Sequence, residues 1–273
     1  MTARALPILM YHHVCPQPGL VTLSPENFAA QMEYLAASGY HTVGCAGLEN
    51  FLRGEPLPDK SLLITFDDGY LDNYVYAYPI LRRLGLHAVI FLVTDWIGER
   101  GEARALVGES DAPSTLNHRQ CMEAVAAGRA DAAMMRWSEV LRMRDEGVFE
   151  FHSHTASHTR WDKRCAHTEE KSAALADDLQ RSRSTLKQHL GIEDRHLCWP
   201  QGYFDADYQR IAAAQGFTHL YTTQPGTVIV GGEATALPRI VVKDKGAGWL
   251  ASRLRIYQSP LLTRWYGRIR GRR

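Results

Sequence analysis

Long apolar runs are missing from this 273-residue sequence, since no stretch reaches the roughly 18 uninterrupted apolar residues of a membrane-spanning helix. The amino terminus lacks the apolar core of a signal peptide, because Pro7 breaks its short run. Cys-x-x-Cys pairs are also absent, and the five cysteines are odd in number, which predicts free thiols in a reducing compartment. The net charge of +1 gives no support for nucleic-acid binding. These absences predict a cytoplasmic protein.

The composition that is present, 45% hydrophobic and 22% charged, is that of an ordinary globular protein and suffices for one large α/β domain. Segments that read as apolar strands alternate with segments of helical periodicity. Residues suited to chemistry or to shaping a site occur at the ends of these strands: His12, Asp67, Asp68, Asp95, His154, His158 and Pro200. In a (β/α) barrel the carboxyl ends of all strands meet at one face. The pattern therefore predicts six to eight strands that bring these residues together.

Some segments carry predictions of their own. Residues 73–84 read as a helix that Pro79 either kinks or locally breaks. Residues 98–136, rich in Gly, Ala, Glu and Arg, read as an insertion with a helix from 117 to 127. An insertion of this length is either a lid or binding loop, or a solvent-exposed segment that takes no part in the site. Residues 227–230 read as one of the closing strands.

Two adjacent carboxylates, Asp67 and Asp68, end the apolar strand that begins at Ser61. Buried side by side they repel each other and lose hydration unless a cation lies beside them. His154 and His158 are four residues apart, which places them on one face if the chain makes a helical turn. One carboxylate and two imidazoles form a facial ligand set for a divalent ion, and the second carboxylate is left as a base. Taken alone, Asp-Asp-Gly is more often a turn, and His-x-x-x-His is a weak metal signal.

The combination resembles a known family. Thr65-Phe66-Asp67-Asp68-Gly69 followed by His154-Thr155-x-x-His158 is similar to the first two motifs of the polysaccharide deacetylases, the NodB-homology domain of carbohydrate esterase family 4. The segment Leu9–Val14, with its Tyr-His pair, resembles the poly-N-acetylglucosamine deacetylase-like branch. The resemblance implies an α/β fold, a distorted (β/α) barrel of about seven strands, with the insertion near residues 98–136.

The resemblance also implies roles for individual residues. Asp67 is the expected catalytic base, and Asp68, His154 and His158 are the expected ligands of a divalent metal, with zinc the usual ion of the family. The segment Trp199-Pro200-Gln201-Gly202 is similar to a third motif. Weaker expectations for substrate or oxyanion contacts fall on Pro200, Gly202, Tyr203 and His12.

Two departures from the family pattern leave a gap. The third motif here has no arginine to orient the base, and the late Leu-x-His motif that supplies a general acid has no clear counterpart. Leu237-Pro238-Arg239-Ile240 stands roughly at that position. The candidates for the acid, or for support behind the site, are His12, His13, His152 and Arg239.

The carboxyl-terminal residues 249–273 contain seven arginines and no acidic residue, so the rest of the chain carries a net charge of 1 − 7 = −6. Tryptophan, tyrosine and leucine are interleaved with these arginines. We interpret residues 1–248 as the NodB-type domain and 249–273 as a basic amphipathic tail. The tail either touches a membrane surface or packs across the barrel, and the acidic remainder argues against nucleic acid.

The sequence therefore predicts a cytoplasmic, metal-dependent hydrolase, and contact of residues 249–273 with the inner face of the membrane is one of the two alternatives for the tail. Its expected substrate is an N- or O-acetylated sugar, nucleotide-linked or lipid-linked, in the synthesis of a surface polysaccharide or glycolipid. A deformylase, or another hydrolase of non-peptide amides with the same fold, is the alternative enzyme. A glycan-binding module with a degenerate site is the non-enzymatic alternative.

Overall fold

The structure, a computed structural model, describes residues 2–270 and contains ten short strands in that range, five of them fully buried. The strands are β1 (Ile8–Tyr11), β2 (His13–Val14), β3 (Thr22–Leu23), β4 (His41–Thr42), β5 (Ser61–Asp68), β6 (Ala88–Leu92), β7 (Phe149–Ser153), β8 (His196–Cys198), β9 (His219–Tyr221) and β10 (Ile240–Val241).

Ten α-helices occur in the same described range. They are α1 (Pro25–Ala37), α2 (Cys45–Leu52), α3 (Tyr78–Leu84), α4 (His118–Ala126), α5 (Trp137–Asp145), α6 (Trp161–Arg164), α7 (Thr168–Leu190), α8 (Ala206–Ala214), α9 (Ala247–Tyr257) and α10 (Pro260–Arg270). None of the helices within residues 2–270 is both long and apolar enough to cross a bilayer.

The main sheet is parallel throughout and runs in the order β10-β1-β5-β6-β7-β8-β9, with β4 paired to the start of β5. It curls into a distorted (β/α) barrel, as the resemblance implied. Leu237, just before β10, forms a bridge to Tyr221 of β9 and so links the two ends of the curled sheet. Because all strands are parallel, their carboxyl ends lie at one face of the barrel.

The alternation of side chains along β5 directs one of the two acids inward. Ile64 and Phe66 pack in the cluster between the sheet and the outer helices. Leu63 packs in the inner cluster, which α2 closes with Leu48 and Phe51. Since side chains alternate with a period of two, Asp67 follows Leu63 into the barrel.

One local prediction is wrong, and another gains detail. Residues 227–230 form no strand, and Val228 makes only an isolated antiparallel bridge to Leu6. The segment 73–84 begins with a π-helical turn, Asn73–Ala77, and α3 starts only at Tyr78. Pro79 occupies the first turn of α3, where its missing N–H leaves no bond unmade.

The insertion and the carboxyl-terminal segment both contain helices. The predicted helix at 117–127 is α4, whose Asn117 cap and Gln120 form a reciprocal capping box. In the basic segment, α9 packs on α1 and buries Leu250 and Leu254. By contrast, α10 leaves large apolar side chains in solvent.

Candidate active site

A left-handed turn at the end of β5 presents both acids to one cavity. Asp68 has φ +75° and Gly69 has φ +90°, so the chain reverses its pleat immediately after Asp67. A side chain at Gly69 would place its Cβ 2.8 Å from Cδ2 of Leu92. The left-handed backbone at Asp68 is a strained conformation of the kind that folded proteins retain at functional sites.

Asp68, His154 and His158 converge as a triad. Oδ1 of Asp68 lies 3.4 Å from Nε2 of His154 and 3.4 Å from Nε2 of His158. That oxygen is buried and accepts no hydrogen bond in the described structure. Nδ1 of His154 lies 2.7 Å from the carbonyl oxygen of Cys198, which fixes the proton on Nδ1 and leaves the Nε2 lone pair facing Asp68. An orphaned carboxylate oxygen and two imidazole nitrogens suit a divalent cation such as zinc.

A loop, rather than a helical turn, brings the two histidines together, which corrects the sequence prediction. Thr155 and His158 both have positive φ, +68° and +59°. The hydroxyl of Thr155 accepts the backbone N–H of His158 at 3.0 Å and so holds the loop closed. The two rings then lie with centroids 4.9 Å apart.

The protonation states of the triad follow from burial and mutual charge. Burial lowers the pKa of His158 to about 4, so that ring is neutral at neutral pH. Burial opposes protonation of His154 as well, but Cys198 and Asp68 outweigh it and raise the pKa of that ring. Burial alone would raise the pKa of Asp68, yet the two histidines hold it well below its usual range. A cation at the triad would require the neutral ring of His154, so its binding would release the second proton that the raised pKa otherwise keeps on this ring.

Arg239 holds Asp67 in a fixed orientation. Its Nη1 and Nη2 donate to Oδ1 and Oδ2 of Asp67, each at 2.7 Å, and Nη1 lies 3.2 Å from the hydroxyl of Thr65. Both partners of the pair are buried. Burial by itself would raise the pKa of Asp67, but the charge and hydrogen bonds of Arg239 outweigh it and lower that pKa. The arginine missing from the third motif is thus supplied by the segment before β10, and a guanidinium this strongly held cannot be a general acid.

Asp67, Asp68, His154 and His158 all line one cavity of about 410 Å³, and His12 lines it beside them. Nε2 of His12 lies 3.7 Å from Oδ2 of Asp67. Burial lowers the pKa of His12, against the attraction of the two carboxylates. His12 is therefore the described acid–base side chain nearest to Asp67 on the open side of the cavity.

Two other histidine candidates lie away from this cavity. His13 is buried behind the cavity wall, where its Nδ1 pairs with Asp72 and its ring stacks on Tyr70. His152, near the carboxyl end of β7, points away from the cavity to the segment just before β8, where its Nδ1 is 2.7 Å from Oδ1 of Asp194. The structure thus brings neither His13 nor His152 to the acids.

The third motif contributes the turn that carries Gly202. Gly202 has φ +68°, and a Cβ there would lie 2.2 Å from Oγ1 of Thr223, so only glycine fits. Gly202 lines the cavity, while Pro200 is buried beneath it. Tyr203 turns away and stacks on the guanidinium of Arg160 at 3.7 Å. The N–H groups of Gly202 and Tyr203 donate within the turn, to Trp199 and Pro200, and are not free for an oxyanion.

Several cavity residues escaped sequence reasoning. His118 and Met122 come from the insertion, and Tyr70 and Trp199 complete the wall. The ring of Trp96 lies 5.3 Å from that of His158. Apart from the helix cap at Asn117, no local pattern marks these residues, because they meet only when the barrel is assembled. The insertion is therefore part of the cavity wall.

Comparison with known proteins identifies the family. The polysaccharide deacetylase family model matches residues 54–220, more than half of the chain. YxkH of Bacillus subtilis (strain 168), named as a polysaccharide deacetylase, is 27% identical over 244 residues, covering 89% of this chain and 73% of that protein. Poly-beta-1,6-N-acetyl-D-glucosamine N-deacetylase of Escherichia coli (strain K12) is 21% identical over 223 residues, covering 78% of this chain but only 32% of that protein. The solved structure of IcaB from Ammonifex degensii has the same fold, with a TM-score of 0.72 and 24% identity over 94% of this chain and 99% of that one. This chain belongs to the polysaccharide deacetylase family.

Proposed function

We propose that this protein is a metal-dependent deacetylase that removes the acetyl group from the nitrogen of an N-acetylated sugar in a surface polysaccharide or glycolipid. One observation carries the proposal. The orphaned Oδ1 of Asp68 faces two imidazole nitrogens in the same cavity as the ion-paired carboxylate of Asp67. The similarity to poly-N-acetylglucosamine deacetylases supports an acetylated amino sugar as the substrate.

A divalent cation held by Asp68, His154 and His158, most simply zinc, would act as a Lewis acid on the acetyl carbonyl and lower the pKa of an attacking water. Asp67 is ionised and oriented by Arg239, so it can accept the proton that this water loses. The carbonyl of Cys198 keeps the ring of His154 in the required tautomer.

Cleavage of the amide also requires a proton on the departing nitrogen, since an amide ion is a poor leaving group. His12 lines the cavity and lies 3.7 Å from Asp67, so a proton gained by Asp67 can pass to it. We assign His12 the delivery of this proton to the nitrogen. The products are then acetate and the free amino sugar, with one water consumed.

Metal content and acetate release from a panel of acetylated sugars test this assignment, with Asp67→Asn and Asp68→Asn as a matched pair. Both variants replace a buried carboxylate by an amide of the same shape. Asp67→Asn is expected to retain the metal and lose activity by about 10²-fold or more. Asp68→Asn is expected to lose the metal as well. A wild type that binds no divalent metal, or an Asp67→Asn variant of wild-type activity, would show the mechanism to be wrong. Formate release from N-formylated sugars, with no acetate released from the acetylated ones, would identify a deformylase.

We also propose that the protein works at the cytoplasmic face of the inner membrane, on a lipid-linked sugar. Four large apolar side chains of α10 are exposed: Leu261, Leu262, Trp265 and Ile269. Arg264 and Arg268 lie among them, and residues 249–273 contain no acid. A helix with exposed apolar groups and only positive charge is complementary to an anionic lipid surface. The free cysteines agree with a reducing compartment.

A further inference from the structure

A second cavity, which we call the basic groove, adjoins the catalytic cavity. It has a volume of about 350 Å³, and Thr223 lines both cavities. Thr223 and Pro225 follow β9, and the remaining groove residues follow or belong to β10 and α9. Since β9 and β10 are parallel to the strands that carry the acids, the groove opens on the same face of the barrel.

The groove is positively charged. Lys243, Lys245 and Arg253 line it, and no carboxylate does. Within residues 2–270, no ion pair involves any of these three cations. Asp244, which separates the two lysines in sequence, turns its carboxylate away to the start of α1, where it accepts from Nδ2 of Asn27 at 2.6 Å. Three positively charged side chains without carboxylate partners form a site that is complementary to an anion.

The backbone beneath the lysines is anchored. Nε2 of the buried Gln31 donates to the carbonyl oxygens of Lys243 and Lys245, at 3.4 and 2.6 Å. Oε1 of Gln31 in turn accepts from the hydroxyl of Tyr11, beside the strand that begins the barrel. The loop that carries both lysines is thus tied to the barrel, although its side chains are exposed.

Arg253 forms the inner end of the groove. Its Nη1 donates to the hydroxyl of Tyr266, and its guanidinium lies 5.6 Å from the ring of Trp249. Its Nε is buried and has no hydrogen-bond acceptor among the described residues. Tyr266 belongs to α10, so the groove runs from the catalytic cavity to the helix that exposes its apolar face.

We propose that the acetylated sugar carries a phosphate or diphosphate ester, and that Lys243, Lys245 and Arg253 bind this group beside the catalytic cavity. The inference rests on the proposed deacetylation, for which the groove supplies the substrate class. The catalytic cavity, the basic groove and α10 adjoin one another in that order. The sugar would therefore lie in the catalytic cavity and its anionic ester in the groove, with the carrier beyond the groove. The carrier is either a nucleoside or a prenyl lipid, and both share the anionic ester.

The test compares two substrates that differ in charge, using the full-length, metal-loaded protein. N-acetylglucosamine 1-phosphate and the uncharged methyl N-acetylglucosaminide are assayed for acetate release. The variant Lys243→Ala/Lys245→Ala removes two exposed side chains without touching the backbone anchors. Lys187→Ala, which removes an exposed lysine from the far end of α7, is the control for the loss of a surface lysine outside the groove.

The double variant is expected to lose roughly tenfold or more in kcat/KM for the phosphorylated sugar, mainly through KM, because hydrogen bonds to a charged group are lost. Its kcat/KM for the uncharged sugar and the activities of Lys187→Ala should stay at the wild-type level. Calorimetric binding of N-acetylglucosamine 1-phosphate should weaken in parallel. Phosphate held only by the catalytic metal would survive the double variant, and that result would overturn the basic groove as its site.

The two proposals fail in different ways. If wild type deacetylates the uncharged sugar and the lysine variant handles both substrates normally, the groove proposal is wrong and the deacetylase stands. If neither sugar is deacetylated but the sugar phosphate binds in a lysine-dependent manner, the anion site stands and the deacetylase is wrong. Parallel assays with UDP-N-acetylglucosamine and a prenyl diphosphate-linked N-acetylglucosamine in vesicles identify the carrier by which one is turned over faster.

Discussion

Arg239 and Asp67, 172 residues apart in sequence, form a buried ion pair. The two terminal nitrogens of the guanidinium each donate to one of the two carboxylate oxygens. The two bonds hold the carboxylate in one rotamer and keep it charged in a cavity where burial would favour the neutral acid. The pair therefore explains how Asp67 can remain a base beside a second carboxylate.

Replacing Arg239 by methionine should damage both stability and activity. Removing one partner of a buried pair costs about 3–5 kcal/mol, because the other charge is left without compensation. Chemical denaturation and kcat measure the two effects separately. Arg239→Lys keeps the positive charge but loses the bidentate hydrogen bonding. Its kcat should therefore lie between those of wild type and Arg239→Met.

Arg239→Met should also shift the pH dependence of activity and of stability. Arg239 holds the pKa of Asp67 below its ordinary value of 3.8, so the pair stabilises the fold above that pH and loses its effect as the pH falls through the lowered pKa. Without the guanidinium, burial raises the pKa of Asp67, and the acidic limb of kcat/KM should move to higher pH. The difference in unfolding free energy between wild type and Arg239→Met should shrink below about pH 4. A pH profile identical to that of wild type would contradict this coupling.

His12→Gln should slow amide cleavage more than ester cleavage. A nitrogen leaving group needs a proton, whereas the nitrophenolate of 4-nitrophenyl acetate leaves without one. We expect kcat for an N-acetylated sugar to fall by about 10²-fold, the usual size of a general-acid effect, and the ester rate to change little. Asp67→Asn should slow both substrates, which provides the comparison. Equal losses on both substrates would assign His12 to the support of Asp67 rather than to the leaving group.

Gly202→Ala should destabilise the third-motif turn and reduce activity. Its Cβ would meet the side chain of Thr223 at 2.2 Å, in addition to the cost of a left-handed backbone. Gly85→Ala is the matched control, because Gly85 has φ +62° but nothing within 4 Å of a new Cβ. Urea denaturation should show a loss of about 1 kcal/mol at Gly85, from backbone strain alone, and a larger loss at Gly202. Similar losses at the two positions would mean that Thr223 moves aside freely.

Leu261→Ser/Trp265→Ser should release the protein from membranes. These side chains are 75% and 63% exposed, so their replacement leaves the core intact. Binding to vesicles that contain phosphatidylglycerol, followed by co-sedimentation, should weaken by roughly tenfold or more, and added salt should weaken wild-type binding too. Val107→Ser, at an exposed apolar position in the insertion, should bind like wild type. A wild type that stays in the supernatant at low salt would exclude the membrane contact.

The sequence by itself determined the family and the barrel. The apolar run into Asp67-Asp68-Gly69 and the spacing of His154 and His158 are local features. The family match confirms the family to which they pointed, and the likeness to a solved structure confirms the fold. Local patterns also gave the helices at α4, α5 and α7, since caps and periodicity are encoded within a few residues. Local reasoning was wrong where the backbone departs from regular geometry, as in the left-handed loop from His154 to His158.

The tertiary structure alone decided which side chains support the acids. Arg239 reaches Asp67 because the segment before β10 closes the curled sheet, and His118 reaches the cavity because the insertion folds over Tyr70. His152 lies only two residues before the predicted metal ligand His154, yet it pairs with Asp194, just before β8. Such contacts join residues far apart in the chain, and no periodicity records them. They are fixed by the curl and register of the sheet, which are set when the whole barrel packs.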